Sequence, residues 1–228
     1  MNNLEKLVKI NKRLEEEKLV IFTWGNASFR RDKDVYIKPS GVSFSDLTEE
    51  KISQVGLETE MHLSGLKPSV DTPTHLVLYR AFPEVKAIIH THSKYCTIFA
   101  QAKTNIPCLG TTHADYFYGE IPVVETLNKQ EIENEYEKNT GLKIVQYFKE
   151  KNISPLDVPA ALSPSHGVFV WGNSLDTAIK NAIVLENIAE MAYKTANLCY
   201  NQPIEFDKNL LDKHFLRKHG SQKYYGQQ

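Results

Sequence analysis

His90 and His92 stand two residues apart at the end of Val85-Lys86-Ala87-Ile88-Ile89, an apolar run that reads as a buried strand. Residues i and i+2 of a strand project to one face, so both imidazoles can grip a single metal ion. A third candidate, His166, lies in Ser165-His166-Gly167, directly before a second strand-like run from Val168 to Trp171. Three imidazoles with an open fourth position describe a catalytic metal site better than a structural one. Zinc is the first expectation; manganese, cobalt and iron also suit imidazole ligands. The bland alternative is a pair of strand histidines bonded to backbone.

Three turns accompany these histidines: Trp24-Gly25-Asn26, Pro39-Ser40-Gly41 and Pro68-Ser69-Val70. Each offers backbone N–H groups, which either surround a phosphate or do nothing beyond making a tight turn. The third runs into Thr72-Pro73, a helix start that favours an anion. Asp115 lies beside Tyr116-Phe117-Tyr118 and near His113, where a carboxylate either carries protons or closes a loop. Glu137, on a charged stretch, reads as a surface residue when judged alone. Tyr224-Tyr225 in the tail suggest packing against a core edge or a neighbouring subunit.

The elements that must position these groups follow from periodicity. Leu4, Leu7, Val8, Ile10 and Leu14 predict a first helix over 3–18. Strands are expected at Val20 to Thr23 and Asp34 to Lys38, with a polar loop around Trp24 to Ser28 between them. A helix should run from Thr72 to about Phe82, where Pro83 stops it. A short helix, about Tyr95 to Ala102, follows the His-x-His strand and leads to an aromatic loop over His113 to Gly119. Gln130 to Lys151 reads as mostly helical, with Gly141 a weak point. Leu175 to Tyr200, capped by Ser174, is the longest helix, and a terminal helix spans about Asn209 to Lys218. The pattern predicts an α/β fold: one domain with a mixed or antiparallel central sheet.

Bulk properties narrow the function. The chain has 228 residues and a formal charge of -1, which exerts no general pull on nucleic acid or anionic membranes. No apolar stretch reaches bilayer-spanning length, and the N-terminus reads as an amphipathic helix rather than a signal peptide. Three widely spaced cysteines fit free thiols in a reducing compartment, so the cytoplasm is expected. No GxGxxG occurs, so no NAD is expected, and Gly167 to Ser174 has Asn173 where a phosphate-binding loop needs lysine.

Several motifs then fall in one recognisable order. They are Thr23-Trp24-Gly25-Asn26, Ile37-Lys38-Pro39-Ser40-Gly41, Asp71-Thr72-Pro73-Thr74-His75 and His90-Thr91-His92-Ser93. Gly110 to Gly119, Ser165-His166-Gly167 and the tail from Leu216 through Tyr224-Tyr225-Gly226-Gln227 continue the series. The chain resembles the class II aldolase/adducin superfamily and, within it, the L-ribulose-5-phosphate 4-epimerase branch. The resemblance covers nearly the whole length and implies one three-layer αβα domain over residues 1–228. It implies Zn(2+), with Mn(2+) or Co(2+) as alternatives, on His90, His92 and His166, with Asp71 at or near the metal. Asp115 and Tyr225 would be the acid/base pair. Gly25, Asn26, Ser40, Gly41, Ser69 and Val70 would hold the sugar phosphate, and Glu137 and His214 would support the site. It further implies a homotetramer with active sites at subunit interfaces, the tail 209–228 reaching a neighbour.

The branch usually has two serines before the aspartate, and here the second is Val70. A lost hydroxyl donor to a charged group weakens binding by roughly 1.5–3 kcal/mol when no water substitutes.

The implied reaction interconverts L-ribulose 5-phosphate and D-xylulose 5-phosphate. In a 2-ketose the C4 hydrogen is not adjacent to the carbonyl, so simple deprotonation cannot invert C4. Breaking and remaking the C3–C4 bond can, with a metal stabilising the enediolate charge. A class II aldolase acting on fuculose or rhamnulose 1-phosphate is the nearest alternative, and a non-enzymatic scaffold like adducin is another.

Overall fold

The computed structural model describes residues 2–200, 202, 204–221 and 223–224. Seven strands form one sheet in which every paired neighbour is antiparallel. They are β1 (Asn26–Arg31), β2 (Asp34–Ile37), β3 (Ser53–Gly56), β4 (His62–Ser64), β5 (Ala87–Thr91), β6 (Ala160–Ser163) and β7 (Gly167–Gly172). Their order across the sheet is β4-β3-β2-β1-β5-β7-β6. The edge strand β4 is three residues long and exposed, which suits an edge that should not recruit another chain. Strand β7 is buried throughout because helices cover both faces of the sheet, so it reads as a continuous apolar run.

The helices are α1 (Asn3–Glu16), α2 (Thr72–Ala81), α3 (Lys94–Ala102), α4 (Thr111–Ala114), α5 (Lys129–Glu133), α6 (Tyr136–Glu150), α7 (Leu175–Leu198) and α8 (Lys208–His219). Helices α2 and α6 pack together over one face, where Phe82 and Phe148 meet Trp171 of β7. Helices α1, α3 and α7 cover the other face, giving the expected helix–sheet–helix layering. Gly141 does not break α6. A Cβ there would lie 2.9 Å from Val77 Cβ and 3.1 Å from the Thr74 carbonyl oxygen, so glycine is what lets α6 approach α2.

Two expectations are corrected. Residues 20–23 form no strand: Phe22 has φ 56°, and the chain turns there. The first strand is instead Asn26–Arg31, which begins inside the segment that reads as a polar loop. Its Asn26 and Ser28 are buried and polar on the face toward α2, which hides the alternation that marks a strand. The helical stretch after Lys129 is also divided, at Asn134-Glu135 rather than at Gly141, with Glu135 at φ 54°.

Candidate active site

The three histidines meet at one end of the sheet. His90 is in β5, His92 follows it, and His166 precedes β7, which pairs directly with β5. His90 and His92 bring their Nε2 atoms to 3.1 Å, and one ligand atom from each of the three residues lies within 4.8 Å of the others. Tetrahedral zinc with bonds of about 2.0–2.1 Å separates its ligand nitrogens by roughly 3.4 Å, so the group is close to ligating geometry. Among the described residues, no other set of histidine, cysteine or acidic side chains converges in this way.

The outer hydrogen bonds suit the same role. The Nδ1 of His90 lies 3.0 Å from the Val168 carbonyl oxygen, so it donates there and leaves the Nε2 lone pair for an ion. The Nδ1 of His166 lies 3.3 Å from the Tyr136 hydroxyl. Burial, reinforced by His90 and His92, lowers the His166 pKa to about 3, and burial with His90 also lowers that of His92. Both rings are therefore neutral near pH 7, the form that binds metal.

The same pocket includes Gly25 and Asn26, Ser40 and Gly41, and Ser69, Val70 and Asp71. Gly25 has φ 86°, and a Cβ there would lie 2.8 Å from the His90 carbonyl oxygen, so only glycine fits beside β5. Asn26 donates from Nδ2 to Asp71 Oδ2 at 2.7 Å and to Ser69 Oγ at 3.1 Å. Burial opposes ionisation of Asp71, but His90, His75 and Asn26 outweigh it and hold the carboxyl below its ordinary range. Asp71 lines the pocket without belonging to the converging nitrogen group. Val70 is 60% exposed and lines the same pocket instead of joining the core.

Lys38 escapes the sequence reading. It ends the alternating run of β2 and is buried in the pocket wall, with Nζ donating to the Thr23 carbonyl at 3.2 Å and standing 4.7 Å from the Phe44 ring centre. Burial lowers its pKa to about 8, with Asp71 opposing the shift. An anion in the adjoining turns would raise that value again and hold the lysine protonated. The only sequence signal for it is its place directly before Pro39-Ser40-Gly41.

Asp115 lies elsewhere. It ends α4 and is held by α8: His214 Nδ1 at 3.0 Å, Arg217 Nη2 at 2.9 Å and Lys218 Nζ at 3.0 Å. Burial opposes its ionisation, but Lys218, His214 and Arg217 together lower its pKa. It does not line the pocket of the histidines. Glu137 is half-buried on α6, where its carbonyl accepts a hydrogen bond from Thr74 Oγ1 at 2.5 Å. Tyr225 lies outside the described residues.

The family model for the Class II Aldolase and Adducin N-terminal domain matches residues 5–193. The chain belongs to the class II aldolase and adducin family. Among curated members, an L-ribulose-5-phosphate 4-epimerase UlaF from Salmonella paratyphi C is 44% identical over 213 residues, 92% of this chain and 91% of the relative. Solved class II aldolase folds agree in shape. An L-fuculose 1-phosphate aldolase superposes with TM-score 0.76 at 21% identity, covering 92% of this chain and 93% of that one. An L-fuculose-1-phosphate aldolase from Thermus thermophilus gives TM-score 0.66 at 20% identity, over 88% and 97%. At that identity the two structures bear on the fold alone. No helix among the described residues of this class II aldolase-family chain is long and apolar enough to cross a membrane.

Proposed function

We propose that this chain is an L-ribulose-5-phosphate 4-epimerase, an isomerase that interconverts L-ribulose 5-phosphate and D-xylulose 5-phosphate. One observation carries the reading: three imidazoles converge in the pocket that also contains the backbone turns and Lys38. The 44% identity to a curated epimerase, over nearly all of both chains, supports it.

His90, His92 and His166 would hold a divalent ion, zinc first and manganese or cobalt as alternatives, with Asp71 beside it. When bound, such an ion supplies stabilisation of negative charge developing on the ketose oxygens. Gly25, Asn26, Ser40, Gly41, Ser69 and the Val70 backbone would receive the phosphate, with Lys38 adding positive charge. A base takes the C4 hydroxyl proton, C4 becomes an aldehyde, and the C3–C4 bonding pair stays with the three-carbon fragment. The turns retain glycolaldehyde phosphate while the aldehyde rotates and presents its other face. Re-addition of C3 and return of the proton then complete inversion at C4.

Proton removal and return must occur on opposite sides of C4, which calls for two groups. Asp115 and Tyr225 take these roles, with His214 holding Asp115 and Glu137 supporting the wall. Because Asp115 does not line the histidine pocket of its own chain, it would serve a neighbouring chain's pocket. A cyclic homotetramer with sites at its interfaces meets that need, and the tail 209–228 would complete each site. A soluble cytoplasmic enzyme of pentose catabolism is the setting this reading implies.

The test is zinc-loaded protein given L-ribulose 5-phosphate, with D-xylulose 5-phosphate and free glycolaldehyde phosphate measured separately. Xylulose phosphate without accumulated fragments is expected. Fragments alone would assign an aldolase, and neither product would refute the reaction.

A further inference from the structure

A buried polar ladder runs away from the pocket between β1 and α2. Asp71 at the N-cap of α2 and His75 and Tyr79 within it recur every four residues, while Asn26, Ser28 and Arg30 alternate along β1. Four helical residues rise about 6 Å and two strand residues about 6.6 Å, so the repeats stay in step. Asn26 Nδ2 donates to Asp71 at 2.7 Å, Ser28 Oγ lies 2.7 Å from both His75 Nδ1 and the Tyr79 hydroxyl, and Arg30 Nη1 donates to the Tyr79 carbonyl at 2.7 Å. Ser28, His75 and Tyr79 are completely buried. A column of apolar side chains would fill that space with no desolvation cost, so the polar groups call for a reason beyond packing.

The direction of the ladder follows from counting protons. Ser28 has one hydroxyl proton and two neighbours. If His75 donated from Nδ1, Ser28 would donate to Tyr79. The Tyr79 proton would then have no acceptor among the described hydrogen bonds, and the His75 Nε2 lone pair would be buried and unpartnered as well. In the opposite direction Tyr79 donates to Ser28, Ser28 donates to His75 Nδ1, and only the His75 Nε2 proton remains without a partner. Asp71, one turn up the same helix, supplies the negative charge that an Nε2 proton favours.

We propose that His75 is a positioning residue, fixed by Tyr79 and Ser28 as the Nε2–H tautomer so that its N–H dipole holds the Asp71–Asn26 pair in place beside the histidine pocket. The fully buried ring acts through Asp71 and touches no substrate. The tautomer stands on the ladder alone; the kinetic consequence rests on the epimerase reading.

Neutron diffraction from crystals of the unaltered protein tests the tautomer directly. Deuterium on Nε2 and none on Nδ1 of His75 is expected; deuterium on Nδ1 overturns the proposal. Kinetics test the role with His75→Leu, which removes the donor, and His75→Gln, whose side-chain amide can keep a donor near the Nε2 position. His75→Leu should lower kcat on the order of tenfold or more at unchanged zinc content. His75→Gln should recover most of that loss. Equal loss in both variants would reduce His75 to a structural residue, and if neither folds, the neutron result decides. Wild-type enzyme that fails to epimerise would refute the epimerase reading while leaving the tautomer to be judged by the neutron result.

Discussion

Arg217 grips Asp115 with a fork: its Nη2 lies 2.9 Å from one carboxylate oxygen and 3.0 Å from the other, tying α8 to the end of α4. The guanidinium thus fixes the plane of the carboxylate as well as its charge. Replacing Arg217 with Met leaves His214 and Lys218 beside Asp115 but frees its orientation. We expect kcat to fall on the order of a hundredfold while zinc content stays unchanged. Steady-state kinetics and metal analysis of the same preparation would check this; unchanged kcat would remove Asp115 orientation from the account.

The histidine group makes a sharper demand. His92→Asn removes one of three converging nitrogens, and the remaining two cannot close a site that excludes competitors. Metal analysis after dialysis should show zinc falling from about one ion per chain to a small fraction of that. Retention of full zinc would mean the ion sits elsewhere.

Lys38 and Val70 should act in opposite directions on phosphate binding. Lys38→Met removes a buried cation from the pocket wall and should raise KM for the phosphorylated ketose by roughly 10- to 100-fold. Val70→Ser replaces exposed methyls with a hydroxyl donor and should lower KM, with kcat changed less. Inhibition by inorganic phosphate, measured on both variants, separates a binding effect from a chemical one.

Acid should destabilise the fold through two histidines outside the metal group. Burial lowers the pKa of His75 to about 3 and of His113 to about 4, against 6.5 in an unfolded chain. Below 6.5 the unfolded chain binds protons that the folded chain refuses, so stability falls as pH falls, from 6.5 down to about 4 for His113 and about 3 for His75. At pH 5 each ring costs roughly 2 kcal/mol. Denaturant unfolding of metal-free protein at pH 7.5 and pH 5 measures the difference, and a flat profile would contradict the buried, neutral assignment.

The convergence of the histidines was legible because its cause is local: i, i+2 spacing on an apolar strand sends two side chains one way, and His166 only needed the strand pairing of β5 with β7 to arrive. Strand β1 was not legible, because its buried face carries Asn26 and Ser28 for contacts with α2 that are 45 or more residues away. Lys38 was missed for a similar reason, since lysine reads as solvent-facing until the pocket closes around it. Asp115 was recognisable by its motif, yet its separation from the histidines depends on how α4 and α8 dock, which no short-range pattern encodes. The break at Asn134-Glu135 is a left-handed residue at Glu135, a type with no preference for that conformation.

The central claim is that Asp115 of one chain completes the histidine pocket of another. Co-expression of two inactive variants, His92→Asn and Asp115→Asn, tests it most directly. In a ring whose sites each draw on two neighbouring chains, random mixing rebuilds about one site in four, so about a quarter of wild-type activity should return. Activity no higher than that of the separate variants, in confirmed mixed oligomers, would contradict the claim.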